Sequence, residues 1–450
     1  MKTERHFPIT DRKSEEIIAI YRGEKIEVGK FITEAKALAS RLPEHKYAFN
    51  LFTNRYEYLL GFCASILAGQ CTLMPPNRLD STLEELAQQY PDSYVLGATG
   101  FSYQEFESGV FRGKPGEFQG DDIPLIPADQ LCAVAFTSGS TGEPSPNLKY
   151  WHTLRTGSFG NIGLLLKNTG DRLNIVATVP PQHMWGLETS ILFPLFTNVT
   201  ISDQTPFYPQ NIAEAIESLS VPRAIVSSPI HLRALLKSSV SLPGLDHIFS
   251  ATAPLSTELA QLLEEQFDTR VFEVFGCTES GIIAGRYTTE ETNWHLSQLF
   301  ELDVRETGVL VSARHLPEDV VIHDFIEKID DHSFKWHGRH KDMVNIAGKR
   351  GSLTDLNRRL LAIPAVTDGV IFSPADESER LVAMVVAPGL KPADIVNALK
   401  TTVDSVFLPR PVYMVSALPR QETGKLASLA TRQLYEDILK KNARSKRLRR

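Results

Sequence analysis

The chain has 450 residues, 42% of them hydrophobic and 22% charged, enough for a sizeable core and too long for one ordinary domain, so two or three are expected. Its 47 basic and 54 acidic side chains leave a net charge of −7, which argues against general nucleic-acid binding. Four cysteines, Cys63, Cys71, Cys132 and Cys277, make neither C-x-x-C pairs nor a disulfide framework.

The start, MKTERHFPITDRKSEE, is charged and lacks the apolar centre of a signal peptide, so a cytoplasmic protein is expected. LLGFCASILAGQCTLM (59–74) approaches a membrane span in composition. It is short, and Gly69-Gln70 and Pro75-Pro76 break it, which predicts a core helix followed by a strand and no membrane span. LCAVAF (131–136) reads as a buried strand that runs straight into TSGSTGEPSPNLK (137–149). Glycines and hydroxyls after a strand suit either a solvent-exposed loop or a phosphate cradle, in which backbone N–H groups converge and hydroxyls complete the shell.

Helices are predicted at 211–220, 231–239 and 256–267, the last with Ser256 as N-cap, and strands at 223–228, 245–251 and 270–275. This alternation implies parallel βαβ units, which bind ligands at the carboxyl ends of their strands, and both TSGSTG and FGCTES (275–280) leave such ends. WHGRHKDMVNIAGKRG (336–351) reads as a linker or hinge. Beyond it, helices at 353–363 and 392–407 and strands at 366–373, 380–388 and 412–417 predict a compact α/β unit of about 110 residues. The end, KKNARSKRLRR (440–450), carries seven basic residues and leaves −14 for the rest of the chain. It reads as a solubilising tail or, alternatively, a docking element.

Four stretches lie in order: TSGSTGEP (137–144), FGCTES (275–280), GRHKDMVNIAGKR (338–350) and LPRQETGK (418–425). GFCASILAGQCTLMPPN (61–77), PPQHMWGL (180–187) and SATAPLS (250–256) lie collinear with them. Together they resemble the signature motifs of the adenylate-forming (AMP-binding) superfamily of acyl- and aryl-CoA synthetases, luciferases and adenylation domains. The variant phosphate loop and short chain resemble compact AMP-ligases of aryl-polyene-type pathways.

The resemblance implies an α/β fold class. A large N-terminal domain (1–340) would hold parallel βαβ subdomains and a small β-barrel-like part. A small mobile α+β C-terminal domain (341–439), hinged at Lys341, and the basic tail (440–450) would follow. It implies an acid–thiol ligase with ATP, Mg2+ and CoA, or the phosphopantetheine of an acyl carrier protein, as cofactors and partners.

The residue roles follow from the same resemblance. Thr137, Ser138, Gly139, Ser140, Thr141 and Gly142 would wrap the β- and γ-phosphates. Thr278 would contact the α-phosphate, Glu279 would hold magnesium, and Phe275-Gly276 would lie beside adenine. Asp324 would bind ribose, although His323 stands where the family has glycine, and Arg339 would also reach the nucleotide. Lys425 would meet the carboxylate and α-phosphate during adenylation. His183 would line the acyl pocket, flanked by Met184, Trp185, Ser228 and Thr252.

The sequence also departs from the family pattern. Ser145 replaces the loop lysine, and Lys149 would reach back to the phosphates in its stead. Asn345 replaces another usual lysine. No aspartate stands where amino-acid-activating relatives neutralise an ammonium, so an aryl or fatty acid without an α-amino group is implied. A degenerate nucleotide-binding member without turnover is the alternative. Sugar-kinase-like phosphotransfer would need a catalytic base motif that the chain lacks.

Overall fold

The computed structural model describes residues 5–97, 105–106, 122–138, 144–167, 169, 172–238, 240–305, 308–339, 342–346, 349–374, 380–421, 424, 426 and 428–447. Two compact units emerge. The first comprises Met1–Glu301 and Val311–Val320, and the second comprises Leu302–Leu310 and Val321–Arg450.

In the first unit, nine strands lie side by side in the order Trp294–Leu296, Gly281–Tyr287, Arg270–Cys277, His247–Ser250, Arg223–Ser227, Leu173–Ala177, Val199–Ser202, Ile17–Tyr21 and Glu24–Glu27. From Arg270–Cys277 to Ile17–Tyr21 every pairing is parallel, whereas Arg270–Cys277 and Gly281–Tyr287 pair antiparallel. The expected βαβ alternation is present. Helices Pro209–Glu217, Pro229–Lys237 and Thr257–Phe267 connect the parallel strands, and Ser256 Oγ accepts the amide of Leu259 at 3.2 Å as the predicted N-cap. The helices bury Ile216, Leu232, Leu235, Leu259 and Leu263 against Ile225, Ile248 and Val271 of the sheet. Removing each such side chain from water stabilises the fold by about 1.5–3 kcal/mol.

A second sheet of the same unit orders Pro144–Tyr150, Leu131–Ser138, Cys71–Met74, Tyr47–Asn50, Ser93–Leu96 and Glu105–Phe106. The stretch 59–74 forms the end of the buried helix Arg55–Leu67 and then the strand Cys71–Met74, turning at Gly69 with φ +72°. Among the described residues no helix is long and apolar enough to cross a membrane.

The second unit carries the hairpin Asp324–Lys328/Ser333–Arg339, the hairpin Met343–Ile346/Lys349–Ser352, and a sheet of Asp368–Phe372, Val382–Val386 and Val412–Met414. Helices Leu353–Leu361 and Pro392–Leu399 pack Leu356, Leu360, Ile395 and Leu399 into its core. The helix expected over 392–407 ends at Leu399. Thr401, Thr402 and Val403, stiff β-branched residues, follow it, and Asp404 Oδ1 then accepts the amide of Val406 to start the short turn Ser405–Phe407. The helix Ser428–Arg447 runs through most of the basic end. The hinge expected at Lys341 lies outside the described residues.

Candidate active site

The strand Leu131–Ser138 delivers Thr137, half-buried, to the edge of the loop 139–143. The backbone of Ser138 closes the strand, while Gly139, Ser140, Thr141 and Gly142 lie outside the described residues. The chain returns as the antiparallel strand Pro144–Tyr150, with Ser145 opposite Thr137 and Lys149 opposite Ala133.

Lys149, expected to reach the phosphates in place of a lysine at 145, stands on this strand. An extended strand advances about 3.3 Å per residue, so four residues of strand carry Lys149 roughly 13 Å from Ser145. Lys149 is buried, and its Nζ donates to the carbonyl oxygens of Thr278 (2.5 Å) and Glu279 (2.8 Å). Burial lowers its pKa, opposed chiefly by attraction to Glu188.

Thr278 and Glu279 sit in the tight turn between the strands Arg270–Cys277 and Gly281–Tyr287. The pairing slips between Phe275 and Gly276, and a Cβ at Gly276 would meet the Gly281 carbonyl oxygen at 2.3 Å, so the close approach admits only glycine. Thr278 is half-buried and Glu279 exposed. An exposed carboxylate beside a threonine hydroxyl is a donor set that fits a magnesium ion taking its other ligands from phosphate and water. Among the described residues no cluster of three or more His, Cys, Asp or Glu is gathered into a metal cage. Cys277, beside this turn, has its thiol pushed up to about 11 by burial. Phe275 lies against Trp294, with ring centroids 5.6 Å apart.

His183 is half-buried at the N-terminus of the short helix Met184–Leu187, which continues into a π-helical turn, Glu188–Leu192. Its approach is held by Arg55, wholly buried, which donates to the carbonyl oxygens of Ala177 (2.8 Å) and Val179 (3.0 Å) and to Ser190 Oγ. Trp185 Nε1 donates to the Ser227 carbonyl oxygen at 3.4 Å. Ser228 Oγ lies 3.1 Å from His231 Nδ1. Burial lowers the pKa of His231, favouring the neutral ring. Thr252 is exposed at φ +78°, a strained conformation for a β-branched residue. The next loop is anchored where Glu273, itself paired with Arg286 at 2.9 Å, accepts the amide of Leu255 at 2.7 Å.

In the second unit, Asp324 and Arg339 are direct cross-strand partners, with Arg339 Nε 3.8 Å from Asp324 Oδ1. Trp336 Nε1 donates to the same Oδ1 at 2.7 Å. Burial raises the Asp324 pKa, with Trp336 and Arg339 opposing it. Lys425 lies outside the described residues; Gly424 before it adopts φ +78°, and its carbonyl oxygen accepts from Arg420 Nη1 at 2.8 Å.

Sequence reading missed Glu188. It is a buried acid accepting the amide of Ile282 at 3.1 Å and Asn161 Nδ2 at 2.8 Å, and burial pushes its carboxyl up to about 7. The signal was a lone charge within the apolar run WGLETSILFPLF (185–196).

A model of the AMP-binding enzyme family matches residues 73–299. The 4-coumarate–CoA ligase of Halorhodospira halophila is 26% identical over 308 residues, covering 64% of this chain and 73% of that one. The 3,4-dihydroxybenzoate–[aryl-carrier protein] ligase of Bacillus anthracis is 19% identical over 337 residues, covering 71% and 78%. Among solved structures, ATP-bound MatB from Rhodopseudomonas palustris superposes with a TM-score of 0.79 at 18% identity, covering 94% of this chain and 97% of that one. The o-succinylbenzoate CoA synthetase MenE from Bacillus subtilis, in complex with AMP, also gives 0.79, at 16% identity over 94% and 97%. At these identities the structural likeness speaks for the fold, an α/β architecture shared with adenylate-forming enzymes. The family match spans half the chain and includes both the strand–loop–strand at 131–150 and the turn at Thr278-Glu279. On that match, the chain belongs to the AMP-binding enzyme family.

Proposed function

We propose that this enzyme activates a carboxylic acid lacking an α-amino group, aryl or fatty, and passes it to a phosphopantetheine thiol of CoA or a carrier protein. In the first step a carboxylate oxygen attacks the α-phosphorus of ATP, the bond to the bridging oxygen breaks, and pyrophosphate leaves. In the second, the thiolate attacks the acyl carbonyl carbon and AMP leaves. The observation that carries this reading is the turn at Thr278-Glu279, with its exposed carboxylate, on a strand of the central sheet within the family match.

In this reading Thr278 donates to the α-phosphate and Glu279 holds magnesium, whose charge would offset that of the phosphates. Thr137, Ser138 and the loop 139–142 wrap the terminal phosphates, and Phe275-Gly276 flank adenine. Asp324 accepts from ribose hydroxyls, and Arg339 adds a cation. Lys425 supplies positive charge where negative charge develops. His183, with Met184, Trp185, Ser228 and Thr252, borders the acyl group. The named relatives act on aromatic acids, with CoA in one case and an aryl-carrier protein in the other, which supports an aryl acid and leaves both acceptors in play. The functional division proposed is 1–340, 341–439 and the basic tail 440–450.

ATP–pyrophosphate exchange across a panel of aryl and fatty acids tests this proposal, followed by product analysis with CoA and with phosphopantetheinylated carrier. Acid-dependent exchange is the expected result. Nucleotide binding without exchange for any acid would favour the alternative, a degenerate member, to which the departures at Ser145 and Asn345 point.

A further inference from the structure

Three separate elements of the first unit converge beneath the turn that carries Thr278 and Glu279. The strand Pro144–Tyr150 contributes Lys149, the helix Trp151–Leu165 contributes Asn161, and the π-helical turn contributes Glu188. Lys149 Nζ grips the turn by the carbonyl oxygens of residues 278 and 279, at 2.5 and 2.8 Å. Glu188 Oε1 takes the amide of Ile282 at 3.1 Å on the following strand and is itself held by Asn161 at 2.8 Å. Gly281, at φ +79°, lies against it so closely that a Cβ there would stand 2.5 Å from Glu188 Oε1. The two charged residues are 2% and 5% exposed, so both act in a dry interior.

Two charges so deeply buried raise the free energy relative to apolar side chains of the same volume unless each is well compensated. What they supply, and apolar groups cannot, is direction. A short donor is aimed at two specific carbonyls, and an acceptor is aimed at one specific amide. Burial works against the charge on each side chain, and the attraction between them opposes that effect.

We propose that Lys149 and Glu188 form a buried hydrogen-bonding clamp that fixes the position of the Thr278 hydroxyl and the Glu279 carboxylate, which makes Lys149 and Glu188 positioning residues for adenylation. The clamp rests on the function proposed above, in which Glu279 holds magnesium. It gives Lys149 a role at the same turn without requiring it to touch a phosphate.

The test measures ATP–pyrophosphate exchange in the full-length wild type, Lys149→Met, Glu188→Met and the double variant, with thermal melts of each. A misplacement of about 1 Å at a catalytic group costs on the order of 10²-fold in rate. Lys149→Met is therefore expected to lower kcat by about that factor and to raise the magnesium concentration for half-maximal exchange. Its KM for ATP should stay within a few-fold of wild type. The double variant should lose no more than Lys149→Met alone, because the pair acts as one unit. A cooperatively melting Lys149→Met enzyme with full kcat and unchanged magnesium dependence overturns the clamp. Should that variant fail to melt cooperatively, Glu188→Met decides, since it removes the acceptor for Ile282 at similar volume. A fall of roughly tenfold in its kcat at constant KM supports the clamp, and an unchanged kcat overturns it. Absence of exchange in the wild type would overturn the proposed function and the clamp's role with it, whereas full exchange in the variants overturns the clamp alone.

Discussion

Arg420 and Asp368 form a two-pronged ion pair: Nε donates to Oδ2 at 2.8 Å and Nη2 to Oδ1 at 2.6 Å. The third nitrogen, Nη1, donates to the Gly424 carbonyl oxygen at 2.8 Å, so one guanidinium fastens Gly424, the residue before Lys425, to the start of the strand Asp368–Phe372. A lysine, a single point of charge, cannot reproduce three fixed directions. Arg420→Lys should therefore lower the exchange rate by about tenfold while ATP binding holds, the loss expected of a displaced rather than missing catalytic group. Steady-state exchange with ATP titrations checks this, and a variant with full kcat would show that Gly424 needs no such tether.

Replacement of Lys425 itself tests the proposed cation. Lys425→Ala is expected to lower acyl-adenylate formation by on the order of 10²–10³-fold, the cost of removing one donor aimed at charge that develops in the transition state. Single-turnover formation of labelled acyl-AMP measures it directly. Exchange within a few-fold of wild type would end the assignment.

Glu279 is exposed at the turn, so its substitution should spare the fold. Glu279→Gln keeps the shape and removes the charge, and is expected to slow adenylation and shift the magnesium titration to higher concentration. Melting temperature serves as the control. An unchanged magnesium titration would reassign the metal carboxylate.

His315 carries a pH prediction. Burial, with the charges of His152 and Lys149 adding to it, lowers its folded pKa to about 4, so the folded ring stays neutral. The unfolded chain takes up its proton near the ordinary value of about 6.5. Folding stability contributed by this group is thus present above pH 6.5 and declines as the pH falls from about 6.5 towards 4. Melting temperatures from pH 7 to 4.5 should fall less steeply in His315→Gln than in wild type. Parallel slopes would show that His315 ionises alike in both states.

Much of the architecture is legible in the sequence. The alternation of apolar runs and helical stretches over 209–277 corresponds to elements within a few residues of the expected bounds, because burial on one helix face or within a parallel sheet imposes a period that sequence carries locally. The helix cap at Ser256 was equally local, a side chain bonding an amide three residues on. The motif order that pointed to AMP-binding enzymes is a linear property too, and residues 73–299 match that family.

The remaining contacts join partners distant in the chain. Lys149 finds the carbonyl oxygen of Thr278, 129 positions later, because strand register rather than loop reach determines where its side chain ends. Glu188 meets Ile282 across 94 positions, and Arg420 meets Asp368 across 52. No local period encodes such pairs. Local periodicity and motif order are enough for the elements, the family and the residue types available for chemistry. Which buried charges hold those residues in place was decided when the strands packed, since the direction of a hydrogen bond exists only once both partners have a fixed place in space.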